Sequence, residues 1–545
     1  MMQESNLGET VQKLGVVISG SLTRGIEVKL DSSASVEDMA VGRYVIIHGQ
    51  KRRFFGMLTD VALGVADERI NATPSDAADP FLSTVLSGTA TYGTIHVLPM
   101  LTINVAGDEQ GYQPVKTVPS HFSPVTVASQ QDIEMVFGGE DEKRFYIGNP
   151  LDMETKICLD LAEFVKRSNG IFGKSGTGKT FLTRLLLIGL LQKSAAVNLV
   201  FDMHNEYGWE GRSEDKGYKV KALKQLFPEK VAVFTLDEES SRRRRVSTDA
   251  VVKLGYDEIQ PEDISLLRQT LNLTEAAVQA TYRFARHFGG KQWLDAVFRM
   301  ENDEETRELL EKLDIHEATF SNLRRGLEQV RRLGFLEPSA QQNPVDRILG
   351  YLKSGVSVVL EFGRYADLTA YMLVANMLSR RIYNEYREMT EKALGEESAH
   401  PRQLVITIEE AHKFLNTEIA SQTIFGTIAR EMRKYNVTLL IIDQRPSSID
   451  EEVMSQLGTR ITCLLDNEKD VDAVLAGVSG KSELRSVLAR LEPKQQVLIF
   501  GHAVPMPVVV RTREYGSEES LKSLVEGRKE DTSKTVDEVI KDLWG

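Results

Sequence analysis

Cysteine is nearly absent: the 545 residues contain two, Cys158 and Cys463. Two thiols build no disulfide framework, and nothing resembles a zinc cluster, so a reducing compartment is expected. Long apolar runs are missing as well. A bilayer span needs roughly 20 apolar residues, whereas the best candidate, Leu182–Leu191, is too short and is interrupted by Arg184. The opening residues Met1-Met2-Gln3-Glu4-Ser5 lack the basic-then-apolar order of a signal peptide. The expectation is a cytoplasmic chain without a membrane anchor. Positive charge is in deficit, 66 Lys and Arg against 79 Asp and Glu, for a net charge of −13. That argues against a surface coated for nucleic acid. It leaves room for a local basic channel, because screening confines charge effects to about 10 Å in ordinary salt. A ring with an acidic outside and a basic bore has this composition.

What is present begins with length, which calls for two to four domains. Residues 1–150 read as β. Val16-Val17-Ile18, Ile26–Leu30, Tyr44–Ile47, Phe54–Leu58, Thr94–Leu98 and Val125–Val127 are short apolar or alternating runs punctuated by glycine. Residues 65–90 and 106–122 read as loops or excursions, and the region closes at Phe145–Pro150. Many short strands predict a small barrel or sandwich, with a role in assembly or partner contact.

From residue 151 the period changes. Val197–Asp202, Val231–Leu236, Val356–Leu360, Gln403–Glu410, Thr438–Gln444 and Arg460–Leu465 are apolar strands separated by helical stretches. Gln496–Phe500 and Pro507–Val510 close the set. The alternation predicts a doubly wound α/β core over 151–254 and 341–512. Residues 255–340 look helical throughout and read as an insertion beside the sheet. Residues 513–545 form a charged tether ending in Val536, Val539, Ile540, Leu543 and Trp544. That spacing is a short amphipathic helix, which would dock on its own subunit, a neighbour or another protein.

One stretch carries the strongest chemistry. Gly173-Lys174-Ser175-Gly176-Thr177-Gly178-Lys179-Thr180 reads G-x-x-x-x-G-K-[ST], with a strand end before it and a helical run after it. Glycines let backbone N–H groups wrap the phosphates, and the helix N-terminus adds partial positive charge. Lys179 is expected on the β- and γ-phosphates of ATP, with Thr180 on Mg²⁺. Hydrolysis further needs a metal-coordinating acid, a group aiming water, and positive charge on the γ-phosphate. Glu409 and Glu410 end a buried strand and are assigned to the Mg²⁺ shell and to the lytic water, respectively. Gln444, ending the next strand, is placed at the γ-phosphate. Arg167, Arg430, Arg433, Lys434 and Arg445 are the candidates for positive charge. Arg242-Arg243-Arg244-Arg245 reads as a loop tip that either grips phosphate backbone or is a solvated basic run offset by Asp237-Glu238-Glu239.

Together these segments resemble the HerA family of hexameric ATPases, relatives of the FtsK-type DNA pumps. The likeness rests on the β-rich N-terminal region and on Arg167–Thr180, Asp202–Tyr207, Glu409-Glu410-Ala411-His412, Arg430–Tyr435, Asp443–Ser447 and Val504-Pro505-Met506-Pro507. It implies a small N-terminal barrel, a RecA-like core, a homo-hexamer, and translocation on double-stranded DNA with a nuclease such as NurA or with an antiphage effector. It also implies that Arg167 and an arginine of the Arg430–Arg433 helix contact nucleotide phosphates within or between subunits. Met432 stands where the family favours glycine, which leaves open which of Arg430 and Arg433 acts. A second reading is a nucleotide-binding ring scaffold that organises an effector, with hydrolysis regulatory. A third, a secretion or conjugation ATPase, is weakened by the lack of a membrane segment.

Overall fold

The computed structural model describes residues 13–66, 90–104, 111–212, 219–340, 343–396 and 400–526. The apolar tail positions Val536–Trp544 lie outside them. Contacts divide the chain into two compact units. The first comprises 1–160, 172–178 and 459–513, and the second 161–171, 179–458 and 514–545.

In the first unit, strands β1 (Lys13–Ser21), β2 (Gly25–Leu30), β3 (Tyr44–His48), β4 (Arg52–Val65), β5 (Thr91–Asn104), β6 (Tyr112–Pro114) and β7 (Pro124–Val127) form one sheet. Its order is β2-β1-β7-β3-β4-β5-β6, and β2 also pairs with β5, so six strands close into a barrel with β6 on its flank. The period of two explains the lining. Ile26, Val28 and Leu30 point inward with Leu14, Val17, Val45, Ile47, Phe54, Leu58, Ile95, Val97 and Val125, while Glu27 and Lys29 alternate outward. The segment expected to end the β region behaves differently. Strand β8 (Arg144–Asn149) pairs antiparallel with β9 (Ile157–Asp160) and with Val508–Thr512, which joins Gln496–Gly501 and then Thr459–Thr462.

In the second unit the sheet is parallel. Ala250–Val251, Val231–Thr235, Ser357–Glu361, β11 (Val197–Asp202), Leu404–Glu409 and Val437–Asp443 follow in that order. Strand β10 (Asn169–Phe172), numbered before β11 in the chain, lies beside Val437–Asp443. These strands are buried along nearly their whole length, as strands covered by helices on both faces must be. The order brings three strand tips together: the one entering the phosphate loop, the one ending in Asp443, and the one ending in Glu409.

The helical region comprises Pro261–Leu266, Glu275–Phe288, Trp293–Arg299, Glu304–Lys312 and Glu317–Arg331. It is tied to the long Leu368–Glu396 helix through Asp263. The buried Asp263 carboxylate accepts from Asn376 Nδ2 at 3.0 Å and from Arg380 Nη2 at 2.7 Å.

Candidate functional site

The residues Phe172–Gly178 are held by the chain leaving the strand Thr459–Thr462. Cys463 N–H donates to the Phe172 carbonyl at 2.8 Å, and Lys174 N–H donates to the Leu464 carbonyl at 3.1 Å. A Cβ on Gly173 would lie 2.7 Å from Cys463 Cβ and 2.8 Å from Thr177 Oγ1, so only glycine fits. Gly176 and Gly178 have open space but φ of 75° and 87°, the backbone region that side chains avoid. Thr177 Oγ1 closes the turn by donating to the Lys174 carbonyl at 2.8 Å. The Lys174 ammonium pairs with Asp466 at 2.9 Å on the surface. Ser175 is exposed in the same turn.

Lys179 and Thr180 are the first two residues of helix Lys179–Gln192. Thr183 Oγ1 donates back to the Lys179 carbonyl at 2.8 Å. The helix is buried from Leu182 to Leu191, so its N-terminal N–H groups are held in place at the end of the glycine turn.

The two acids occupy different environments. Glu409 ends its strand with a buried side chain. Burial pushes its carboxyl up to about 8, with Asp202, Glu206 and Glu410 adding to the rise against the Tyr207 hydrogen bond. Tyr207 Oη donates to Glu409 Oε1 at 2.7 Å, while Glu409 Oε2 is buried without a partner. Asp202, at the tip of β11, is raised to about 7, chiefly by burial and then by Glu361, against backbone N–H groups donated by Tyr207 and Glu206. Glu410 is partly exposed at φ 49°, a left-handed conformation that a glutamate adopts only under restraint.

Part of that restraint comes from the neighbouring strand tip. Gln444 Nε2 donates to Glu410 Oε1 at 2.9 Å. Asp443, buried, gathers the loops around it. It accepts from His412 N–H at 2.7 Å, from Arg445 N–H at 2.7 Å, and lies 2.9 Å from His412 Nδ1. His412 Nδ1 is also 3.7 Å from Glu410 Oε2. The structure thus brings Glu409, Glu410 and Gln444 to adjacent strand ends.

The arginines divide. Arg167 precedes β10 and packs so closely on Gly458 that a Cβ there would sit 2.6 Å from its own Cβ. Arg430 lies in the last turn of helix Ile424–Glu431 and pairs with Glu452 at 3.6 Å. The helix ends at Glu431; Arg433 falls in a 3₁₀ turn, Met432–Tyr435, and its side chain is outside the described residues. Arg242–Arg245 corrects the loop-tip expectation. Arg242, Arg243 and Arg244 form the last turn of helix Glu238–Arg244, capped at its N-terminus by Asp237, and Arg245 is its left-handed cap. Basic residues suit a helix C-terminus, whose carbonyls carry partial negative charge. Arg244 is engaged with the buried Glu361, and Arg242 with Glu238, so two of the four charges are already occupied.

Local sequence signals pointed to neither Tyr371 nor the pairing of His412 with Asp443. Tyr371 is one aromatic on a long apolar helix face, and nothing in its neighbours marks it. Tyr207 stood in a polar run after a strand, where burial against Glu409 had no local signature.

Mg²⁺ fits these residues. Glu409 Oε2 is a buried acceptor without a partner, and Thr180 supplies a hydroxyl at the helix start. Among the described residues no three or more His, Cys, Asp or Glu side chains converge to hold a metal. A Mg²⁺ that keeps waters and phosphate oxygens needs only one or two protein groups.

Comparison with known proteins gives two family matches. The model described as "Helicase HerA, central domain" matches residues 145–382, and "HAS barrel domain" matches 14–111. Together they span more than half of the chain. The chain is similar to the DNA double-strand break repair helicase HerA of Pyrococcus furiosus, at 23% identity over 75% of this chain and 76% of that one. It is likewise similar to the protein of that name from Sulfolobus acidocaldarius, at 22% identity over 87% and 89%. Among solved structures, the bacterial conjugative coupling protein TrwB aligns with a TM-score of 0.46 and 11% identity, covering 72% of this chain and 93% of that one. Among the described residues, no helix is long and apolar enough to cross a membrane.

Proposed function

We propose, from the premise that this chain belongs to the HerA helicase family and is an ATP-dependent enzyme of the helicase and translocase type, that it works as a cytoplasmic homo-hexameric ring moving double-stranded DNA through its bore. In this reading the backbone of Gly173–Gly178 cradles the phosphates, and Lys179 neutralises the β- and γ-phosphates. Thr180 and Glu409 would hold Mg²⁺, which would supply positive charge against the phosphates. Glu410 accepts a proton from the attacking water and orients it, and Gln444 reports the γ-phosphate. Arg167 serves its own subunit, and Arg430 or Arg433 reaches a neighbour's phosphates.

The observation that carries the reading is strand order. The strand entering the phosphate loop and the strand ending in Glu409 flank the one ending in Asp443, and Gln444 Nε2 reaches Glu410 Oε1 at 2.9 Å. In this reading phosphate grip, water activation and a group able to register product loss issue from three neighbouring strand tips. A nuclease partner, in DNA end processing or in antiphage defence, completes the proposal. Relatives named as DNA double-strand break repair helicases support the first setting.

The test is ATP hydrolysis with and without duplex DNA, together with native mass. DNA should stimulate turnover, Lys179→Ala and Glu410→Gln should abolish it, and the mass should be six times the 61.0 kDa of one chain. Turnover surviving both substitutions would remove the assigned site.

A further inference from the structure

Glu409 is bracketed by two buried phenols arriving from different parts of the second unit. Tyr207 follows β11 and donates its hydroxyl to Glu409 Oε1 at 2.7 Å. Tyr371, on helix Leu368–Glu396, engages the main chain of the same residue. Its Oη accepts from Glu409 N–H at 3.0 Å and donates to the Glu409 carbonyl at 3.1 Å. One hydroxyl therefore fixes both peptide groups of Glu409 at the strand tip. The next residue is Glu410, at φ 49°. A side chain in that backbone region keeps its aim only if the preceding residue is held.

The phenols are themselves immobile. Tyr207 and Tyr371 are fully buried. The Tyr371 ring meets Phe362 and Phe414 edge-on, with centroids 5.2 and 5.3 Å away, and Phe414 meets Phe425 at 4.8 Å. Phe414 belongs to the short helix His412–Leu415 that comes after the acids. The ring is thus packed against the segment on the far side of Glu410, and the hydroxyl grips the segment on the near side. A purely apolar filler would pack equally well as phenylalanine. Among the described residues, the hydrogen bonds of these hydroxyls go to Glu409.

We infer that Tyr207 and Tyr371 are positioning residues for hydrolysis: Tyr207 sets the Glu409 carboxylate, and Tyr371 sets the peptide from which Glu410 is aimed. This rests on the proposed roles of Glu409 and Glu410. Both phenols are fully buried, so their loss is expected to act on the rate of the chemical step and not on capture of ATP. Misplacement of a reacting group by about 1 Å costs on the order of a hundredfold in rate.

The experiment compares Tyr371→Phe, Tyr207→Phe and Glu410→Gln in full-length protein, measuring kcat, KM for ATP, binding of a non-hydrolysable analogue and the thermal midpoint. The expected result is a fall in kcat of about ten- to a hundredfold for each phenylalanine variant. KM should stay within about twofold, analogue binding should persist, and the protein should remain folded at the assay temperature. Phe425→Leu, which disturbs the same aromatic cluster without touching Glu409, should lower the midpoint and leave kcat near the parent value. If kcat falls in Phe425→Leu as far as in the tyrosine variants, the phenols are only packing and the inference is overturned. Unchanged kcat in both tyrosine variants, with Glu410→Gln inactive, overturns it while leaving the site assignment intact. An active Glu410→Gln instead defeats the site assignment, and the inference falls with it. Should Tyr371→Phe fail to fold, Tyr207→Phe carries the same comparison.

Discussion

Gln444 donates its side-chain amide to Glu410 across 2.9 Å, joining the two strand tips on which hydrolysis is proposed to depend. A neutral amide holds a carboxylate without bringing an opposing charge, so this contact orients Glu410. Replacing the amide separates orientation from charge. Gln444→Ala should lower kcat about tenfold through lost orientation, with analogue binding preserved. Gln444→Glu should lower it further, because a like charge would then face Glu410. Steady-state kinetics on the two variants check the ranking.

Removing the proposed base should be more severe. Glu410→Gln should reduce kcat by about 10²- to 10⁴-fold while retaining nucleotide. Lys179→Ala should lose nucleotide binding itself. Isothermal titration with a non-hydrolysable analogue, beside turnover measurements, distinguishes the two failures.

The buried acids make stability depend on pH. Asp202 is raised to about 7 and Glu409 to about 8, both chiefly by burial. Both ionise more readily in the unfolded chain, so the fold gains from keeping them protonated. That gain is fully present below the ordinary carboxylate range and is lost as pH rises through about 7 to 8. The thermal midpoint of protein free of nucleotide and divalent metal should therefore fall between pH 5 and 8.5, and Glu409→Gln should flatten part of the fall. Calorimetry across that range is the check.

The four arginines should separate by partner. Arg244→Ala leaves the buried Glu361 without its cation and should cost about 1–3 kcal/mol, since Arg244 itself is partly exposed. Arg242→Glu and Arg243→Glu, both exposed, should leave the melting temperature nearly unchanged. If this face meets DNA, they should weaken DNA stimulation of hydrolysis and reduce its salt dependence. Melting curves and salt titrations of the stimulated rate measure the two effects.

Much of this was legible in the sequence because the signals are local. The phosphate loop carries its own glycine spacing, and the barrel strands carry a period of two in Ile26, Val28 and Leu30. The acid pair stood out as charge at the end of an apolar run. What was not legible depends on distant pairing. Arg242–Arg245 looked like a loop tip because four arginines offer no apolar period, yet Asp237 caps a helix whose last turn suits their charge. The place of Arg144–Asn149 is decided by Val508–Thr512, more than three hundred residues later. Tyr371 is marked as special only by the Glu409 backbone it meets in the folded chain.

The turn Phe172–Gly178 and the barrel fall in one compact unit. The segment from Thr459 onward touches both. Cys463 and Leu464 hold the loop backbone, Arg490 reaches Asp60 at 3.2 Å, and Val509 N–H donates to Tyr44 Oη at 3.0 Å. One segment therefore braces both the loop backbone and the barrel, so a change within Thr459–Arg513 should register in both.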